Sequence, residues 1–582
     1  MNRYSIKYLL SALFIVARTF SICSQDNNDN HLKLIKECEN FILKNMESGD
    51  IVGVSAAVII NDSVIWKKGF GYSDKEKKVP MSVNTAANIA SVTKTFTALA
   101  IMQLLEKGLL DINEPLTKYL PQFNPKTRGE NLDNLSIKSV ITHSSGIQAD
   151  VLKNSDSGSG KYTDVLGYIN DTYLISPPGL VESYSNSGYN ILGHLIKEVS
   201  KLEYPDYIKE NIFTPLGMNN SGFLKDSLKT RTKIYSGGES IHEYGFRDIA
   251  SGGIYSNIND LIKYARGLMQ IYNGKNSALI KPALIREMFS PHPESAIIES
   301  NKKGLGWFMF KNDSVFAVTH AGDAVTGHAE ICLIPEKNSA VIILANSAEG
   351  EPLRKNFCLN FTRKFGLTVA DIIPRPVIKG FHNEVEPVLL SDEILKIHEG
   401  DYSQGFSYLT ISNEEGNLVM FRDNKYYLLK ALTENEFVPY EKGENDTKFL
   451  KNNERYLFMD SGNLHILFHK TEAGESQLGY RLNTFDPSQM NKKLGSYEHY
   501  GYQLLIGDTK FKGAELLIAG NRILMLKLIA DDGEYPFLLD VISDKYAVTS
   551  GLGTGFGYTV KFTEDDNYNV VEFGGITFRK PK

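Results

Sequence analysis

Ser91-Val92-Thr93-Lys94-Thr95-Phe96-Thr97-Ala98-Leu99-Ala100, running on to Leu110, is the stretch that decides how this chain is read. A serine and a lysine three residues apart share one face of a helix, with Cβ atoms about 5–6 Å apart. A serine hydroxyl is a weak nucleophile until a neighbouring base takes its proton. Lysine can act as that base once burial or nearby positive charge brings its pKa down from about 10.4. Phe96, Ala98, Leu99, Ala100, Leu104 and Leu105 are suited to strip water from Lys94. A helix start at Ser91 would also favour a developing anion there. Alone, the pair is equally an ordinary helix N-terminus, because a motif needs its context. A second copy, Ser300 to Lys303, lies in the run Glu299-Ser300-Asn301-Lys302-Lys303 and reads as a solvated loop.

Two further elements follow downstream. Pro177-Pro178-Gly179 marks a turn. The spacing of Tyr189, Leu192, Leu195, Ile196 and Val199 predicts a helix from about Ser187. Tyr184-Ser185-Asn186 is thereby presented just before a helix. A phenol there can pass a proton to a leaving group, and a carboxamide can orient a lysine or a substrate amide. Tyr255-Ser256-Asn257 repeats the triplet before another helix, Asp260 to Met269, and makes Tyr255 the rival of Tyr184. The other element is His320-Ala321-Gly322, at the end of the apolar run Val315 to Val318. A glycine in such a strand lets another group approach its edge. The N–H groups of Asp323 and Ser91 could then form an oxyanion hole. The plain alternative is a strand end with an exposed histidine.

Ser-x-x-Lys, Tyr-x-Asn and His-x-Gly in this order resemble the serine β-lactamase and penicillin-binding-protein superfamily. The nearest branch holds class C β-lactamases, D-alanyl-D-alanine carboxypeptidases, D-aminopeptidases and related esterases. The resemblance covers roughly residues 35–366. Ile141-Thr142-His143-Ser144-Ser145-Gly146-Ile147, Ser251-Gly252-Gly253-Ile254-Tyr255-Ser256 and Gly304-Leu305-Gly306-Trp307 are similar to further landmarks of the family. They assign Tyr255 to a structural stretch. The resemblance implies that Ser91 attacks a carbonyl, Lys94 takes its proton, and Tyr184 relays a proton or shares the base role. It implies that Asn186 holds Lys94 and the substrate amide, with His320, Gly322 and Asp323 on the substrate and oxyanion side. His320 stands where β-lactamases carry the lysine of Lys-Thr-Gly, and Ala321 replaces the hydroxyl residue. A neutral imidazole holds a carboxylate less firmly than an ammonium does, and alanine donates nothing. This leans toward a peptidase, amidase or esterase.

At 582 residues the chain is long enough for two or three domains. Net charge is −6 with no basic stripe, which argues against nucleic acid as a partner, and no internal run is long enough to span a bilayer. Residues 1–24 read as a secretion signal: Arg3 and Lys7, an apolar stretch from Tyr8 to Ala17, and cleavage near Ser24. The expectation is an exported, periplasmic or extracellular protein. Ile22 before Cys23 makes a poor lipoprotein site. Four cysteines make no disulfide framework. The family's packing of its terminal helices makes a bridge between Cys38 (helix Leu32 to Leu43) and Cys358 (helix Leu353 to Phe365) conceivable; a pair of buried free thiols is the alternative. No Cys/His cluster has zinc spacing, and Gly551 to Gly555 reads as a turn, so no cofactor is implied.

Val54 to Ile60 and Ser63 to Gly69 flank Asn61-Asp62 and read as a hairpin. With the strands around Val315 to Leu344 it would form an antiparallel sheet, interrupted by a helical insertion carrying Tyr184. The expected fold class is α+β: a β-lactamase/transpeptidase-like domain over 25–370, a linker over 371–394, and an all-β region over 395–582. Gly400-Asp401-Tyr402 and Gly495-Ser496-Tyr497 open similar stretches, so that region is one barrel or two β units. It resembles lipocalin-like modules. The functional expectation is a serine hydrolase acting through a Ser91 acyl-enzyme on a small peptide, amide or ester. The alternatives are a β-lactamase or a catalytically silent binder of cell-wall peptide or a partner.

Overall fold

The computed structural model describes residues 29–582 apart from 156–159, 224–227, 229, 244–245, 278, 293–297, 300–302, 325–326, 369–376, 379–385, 405, 443–446, 450–453, 462, 471–475, 501–504, 507–508, 521 and 552–555. The secretion-signal stretch, most of the linker, and Leu552 to Gly555 lie outside the described residues.

The hairpin forms where expected. β1 (Gly53–Ile60) turns through Asn61 and Asp62, both at positive φ (49° and 66°), into β2 (Ser63–Asp74). Two consecutive left-handed residues match the right-handed twist of the flanking strands, and Asn and Asp tolerate that conformation. β3 (Val79–Pro80) follows, and after a helical insertion come β4 (Phe308–Lys311), β5 (Phe316–Ala324), β6 (Gly327–Ile334) and β7 (Ser339–Ala345). They form one antiparallel sheet in the order β4-β5-β6-β7-β1-β2-β3, with Ala57 opposite Ile342 where the two ends of the region meet.

Both faces of this sheet are covered. Residues alternate across a strand, so Val54, Ala56 and Val58 pack with helix 29–45 (α1) and Glu351–Arg363, while Ala57 and Ile59 face the opposite core. That core holds α2 (Thr93–Glu106), buried from Thr93 through Leu104. Buried on every side, α2 is a central helix rather than an amphipathic surface one. Cys38 and Cys358 sit in the first of these cores as free thiols, so no bridge joins them; burial pushes the Cys38 thiol up to about 11.

The C-terminal region resolves the choice left by the sequence: it is two closed eight-stranded barrels. The first runs from Gly400–Gln404 to Ser476–Tyr480 and closes through a bridge between Tyr402 and Arg481. The second runs from Gly495–Tyr500 to Ile576–Pro581, and its first strand pairs with both Thr509–Ala519 and the last. Each interior is filled by its own side chains, as expected for eight strands. Both barrels also touch the loop before Tyr184. Leu180 and Val181 share a core with Leu464 and Ile466 of the first barrel and Ile523 and Leu538 of the second. No helix among the described residues is long and apolar enough to cross a membrane.

Candidate active site

Ser91 lies in a single 3-10 turn, Ala90–Val92, that feeds directly into α2. Ala90 has φ of 44°, a left-handed conformation that costs a non-glycine residue energy and persists only when its surroundings impose it. Here the Ala90 N–H donates to Asn88 Oδ1 (2.6 Å), whose Nδ2 donates to the Gly252 carbonyl (3.2 Å). The turn is thereby held with the Ser91 hydroxyl toward the cleft. One helical turn on, Lys94 has no exposed surface. Its Nζ lies 3.1 Å from Ser91 Oγ, 2.6 Å from Asn186 Oδ1 and 2.8 Å from the Ser251 carbonyl. Burial pulls its pKa down to about 7, opposed by the charges of Asp150 and Asp248.

Tyr184 and Asn186 arrive from the opposite wall. Ser185 accepts from the Gly188 N–H (2.9 Å) and caps the helix Asn186–Ser200, which starts one residue before the predicted position. The cap sets the direction in which the preceding residues enter. Tyr184 stands beside Ser91, with the Lys94 ammonium 4.8 Å from its ring centroid. Burial pushes its phenol well above the ordinary value, and a hydrogen bond with Ser91 opposes that only in part. The His143 ring lies under Tyr184 (centroids 4.3 Å apart), and His143 Nδ1 accepts from the Ser185 N–H (3.0 Å). Asn186 is fixed in turn by its Nδ2, which donates to Asp150 Oδ1 (2.8 Å). Removal from water raises the Asp150 carboxyl, against the Asn186 hydrogen bond and the Lys94 charge.

The third wall is β5. β4 accompanies it only as far as Thr319, so from His320 onward that edge faces the Ser91 turn. Gly322 is required there: a Cβ would stand 2.1 Å from the Ile89 carbonyl oxygen and 3.2 Å from the Ser91 nitrogen. His320 is buried with its Nδ1 2.6 Å from the Ala321 carbonyl, and burial, helped by the Lys94 charge, lowers its pKa to about 3. It is a neutral imidazole. The Asp323 side chain turns away to His328 (2.6 Å) and Arg354 (3.1 Å).

Ser91, Lys94, Tyr184 and Asn186 thus converge, with His320 and Gly322 beside them. Tyr255 does not join them. It lies in the strand Ile254–Ser256 with its hydroxyl on Glu243. The reading of the second Ser-x-x-Lys copy as a solvated loop is corrected at Lys303, which is buried and ion-paired to Glu182; Ser300 to Lys302 lie outside the described residues. Asp150 and the Ser251 carbonyl escaped sequence reasoning. Ser251 opens the Ser251 to Ser256 stretch, but a backbone carbonyl carries no residue signature. Asp150 follows the His143 to Ile147 segment by three residues, and only its neighbourhood was signposted.

The Beta-lactamase family profile matches residues 39–357, more than half of the chain. Protein flp of Staphylococcus aureus is 28% identical over 331 residues, covering 53% of this chain and 63% of its own. Beta-lactamase-like protein 2 of Dictyostelium discoideum is 27% identical over 315 residues, covering 50% and 56%. The chain therefore spans less than two thirds of these curated relatives. Among solved structures, the octameric penicillin-binding protein homologue from Pyrococcus abyssi is 23% identical with a TM-score of 0.50, over 76% of this chain and 99% of its own. SurE with D-Leu is 19% identical with a TM-score of 0.52, over 77% and 99%. At these identities the two structures share the fold with this chain.

Proposed function

Since the chain belongs to the β-lactamase family, we propose that it is a serine hydrolase cleaving an amide or ester through an acyl-enzyme on Ser91. The observation that carries this is the Lys94 amine 3.1 Å from the Ser91 hydroxyl, stripped of water and held by Asn186. A lysine brought to about 7 has a large neutral fraction near neutral pH, so it can accept the serine proton as the hydroxyl attacks. Tyr184, whose phenol stays protonated, supplies a proton to the leaving group and takes one back from Lys94. The Ser91 and Asp323 N–H groups stabilise the oxyanion. Water then attacks the ester carbonyl, with the same pair returning the proton to Ser91. Asn186 orients Lys94, and His320 and Gly322 line the substrate side.

The neutral His320 and Ala321 favour peptidase, amidase or esterase chemistry over β-lactam destruction, since neither supplies a charge or hydroxyl for a β-lactam carboxylate. Export through residues 1–24, and division into a hydrolase domain (25–370), a linker (371–394) and a lipocalin-like region (395–582), are parts of the same proposal. The test is intact mass after exposure to a fluorophosphonate and, separately, a penicillin, with Ser91→Ala as control. One adduct on the parent protein and none on the control is expected. Folded parent protein that forms no adduct and turns over no reporter ester or cephalosporin would shift the reading to a silent binding protein.

A further inference from the structure

β5 leaves the support of β4 at Thr319, and among the described residues its last stretch, His320 to Ala324, pairs only with β6. Gly322, in that stretch, has its backbone against the Ser91 turn. A strand end with one neighbour opens more easily than a strand held on both sides. A group that acts on a reacting centre has to stay within about 0.5 Å of its place. The ladder to β6 is not the only thing that holds this end.

Asp323 stands directly opposite His328 in the register of β5 and β6, and opposed side chains share a face. By the alternation of the strand it is the face of Ala317, which packs with the helix Glu351–Arg363, and not the face of Val318. There His328 Nδ1 lies 2.6 Å from Asp323 Oδ1, and His328 Nε2 lies 2.8 Å from the Ala348 carbonyl in the turn Ala348–Gly350. Gly350 makes room for the ring, since a Cβ there would stand 3.1 Å from His328 Cδ2. Arg354 completes the cluster. It donates to Asp323 Oδ2 (3.1 Å), Glu330 Oε2 (2.6 Å) and Glu351 Oε1 (3.4 Å).

Counting protons fixes what His328 does. A carbonyl oxygen only accepts, so Nε2 donates to Ala348. Burial acts to raise the Asp323 carboxyl, but the His328 hydrogen bond and the Arg354 charge outweigh it and hold the group below the usual carboxylate range. A carboxylate also only accepts, so Nδ1 donates as well. A neutral imidazole has a single N–H and could make one of these bonds; His328 makes both. The His328 and Arg354 side chains are 7% and 6% exposed, and withdrawing two cations from water is costly unless they are paired. Both converge on one carboxylate, where charge-assisted hydrogen bonds are the strong ones. For stability alone, an apolar pair facing the helix would serve as well.

We propose that His328 is a positioning residue, whose two donated hydrogen bonds fasten the Asp323 end of β5 to the turn Ala348–Gly350 and so hold the backbone beside Ser91 in place for oxyanion binding. This rests on the reading of the Ser91 cleft as a hydrolase site with the Asp323 N–H as an oxyanion donor. Both ring nitrogens of His328 are engaged behind the strand, so it acts through Asp323 alone.

The parent protein, His328→Phe and His328→Gln are treated with a fluorophosphonate over a range of concentrations while intact mass is followed. Phenylalanine fills the space and donates nothing, whereas glutamine keeps one donor group for Asp323. The limiting rate of adduct formation should fall about 10- to 100-fold in His328→Phe and by less in His328→Gln, because a displaced oxyanion donor is lost from the transition state. The concentration that gives half the limiting rate should stay within about twofold. A second arm needs no chemistry. By hydrogen exchange and mass spectrometry, the N–H groups of 320–324 and 327–331 should exchange at least about tenfold faster in His328→Phe, with those of β1 and β7 unchanged. If His328→Phe does not fold, His328→Gln carries both readings, with smaller changes in the same directions. Equal limiting rates, a loss carried in the half-saturating concentration, or exchange that is unchanged at the β5 end or raised throughout the sheet overturns the proposal. A folded parent protein that forms no adduct overturns the hydrolase reading instead, and the exchange arm then decides the anchoring by itself.

Discussion

A lysine with no exposed surface must find counter-charges or give up its proton, and Lys94 does some of each. Asp150 and Asp248 act to keep it charged, burial acts more strongly against charge, and the outcome lies at about 7 against 10.5 for the ordinary side chain. Between those values the unfolded chain binds a proton that the folded one does not, so stability rises with pH across that window. Below about 7 both states carry the proton and the contribution levels off at its least favourable value. Replacing Lys94 by Met removes this dependence. The unfolding free energy of the parent protein should therefore gain on that of Lys94→Met as pH rises from 7 to 10, by at most about 1.4 kcal/mol per pH unit, measured by denaturant titration. A difference that stays constant across that range would contradict the assignment. On the proposed mechanism the same amine should set an acid limb near pH 7 in the kcat/KM of a reporter ester, and Lys94→Met should abolish turnover rather than move the limb. At this scale the sequence was informative about Ser91 and Lys94, because a helical turn joins them. It was silent on Asp150, which meets Asn186 only through the fold.

Between elements, the decisive contact is the edge of β5 against the turn that opens α2. Nothing separates the two backbones at Gly322, and a single added methyl would stand 2.1 Å from the Ile89 carbonyl. Gly322→Ala should therefore push β5 off the Ser91 turn, with an overpacking cost of about 1–3 kcal/mol. A displacement of about 1 Å at a reacting centre can cost about 100-fold. The rate of fluorophosphonate adduct formation should fall by about that factor. Gly327→Ala in β6, where the nearest atom to a Cβ is 3.6 Å away, is the matched control. Equal rates for the two variants would show that the close approach does not shape the site. The His-x-Gly pattern made Gly322 legible as a place of close approach, but not what approaches it. The strand and helix assignments were legible for a plainer reason: the Asn61-Asp62 turn and the spacing from Tyr189 to Val199 are local signals, read over a few residues.

Across the whole molecule, the barrels are fastened to the hydrolase fold by buried polar contacts as well as by Leu180 and Val181. Arg128 pairs with Asp540 of the second barrel at 3.3 Å, the two side chains being 7% and 1% exposed, and also donates to the Ile175 carbonyl (3.0 Å). The Leu152 N–H, two residues from Asp150, donates to the Gly574 carbonyl at a barrel hairpin (2.9 Å). Breaking a buried pair on one side leaves a charge uncompensated and typically costs about 3–5 kcal/mol, whereas neutralising both partners costs far less. Arg128→Met should lower the melting temperature sharply and separate barrel unfolding from that of the hydrolase fold. Arg128→Met/Asp540→Asn, which keeps the acceptor for the Asn483 N–H (2.8 Å), should recover most of the loss. Calorimetric traces of the two variants decide this, and equal traces would mean that the pair contributes little to holding the barrel.

What the amino-acid order determined by itself lies within a few residues of each signal. Helical pitch joins Ser91 to Lys94, a two-residue turn makes the first hairpin, and the spacing from Tyr189 to Val199 marks the helix that follows Tyr184 and Asn186; the two Gly-x-Tyr openings left one barrel or two β units as alternatives. These are local because backbone geometry repeats every two or 3.6 residues. The tertiary structure alone decided which groups meet across the cleft. Asp150 on Asn186, the Ser251 carbonyl on Lys94, and Lys303 on Glu182 join residues that are tens to more than a hundred positions apart. Closure of the β region into two separate barrels was likewise a matter of which distant strands pair. Such contacts depend on the path of the whole chain, and burial there, rather than residue type, is what brings the Lys94 pKa down to about 7.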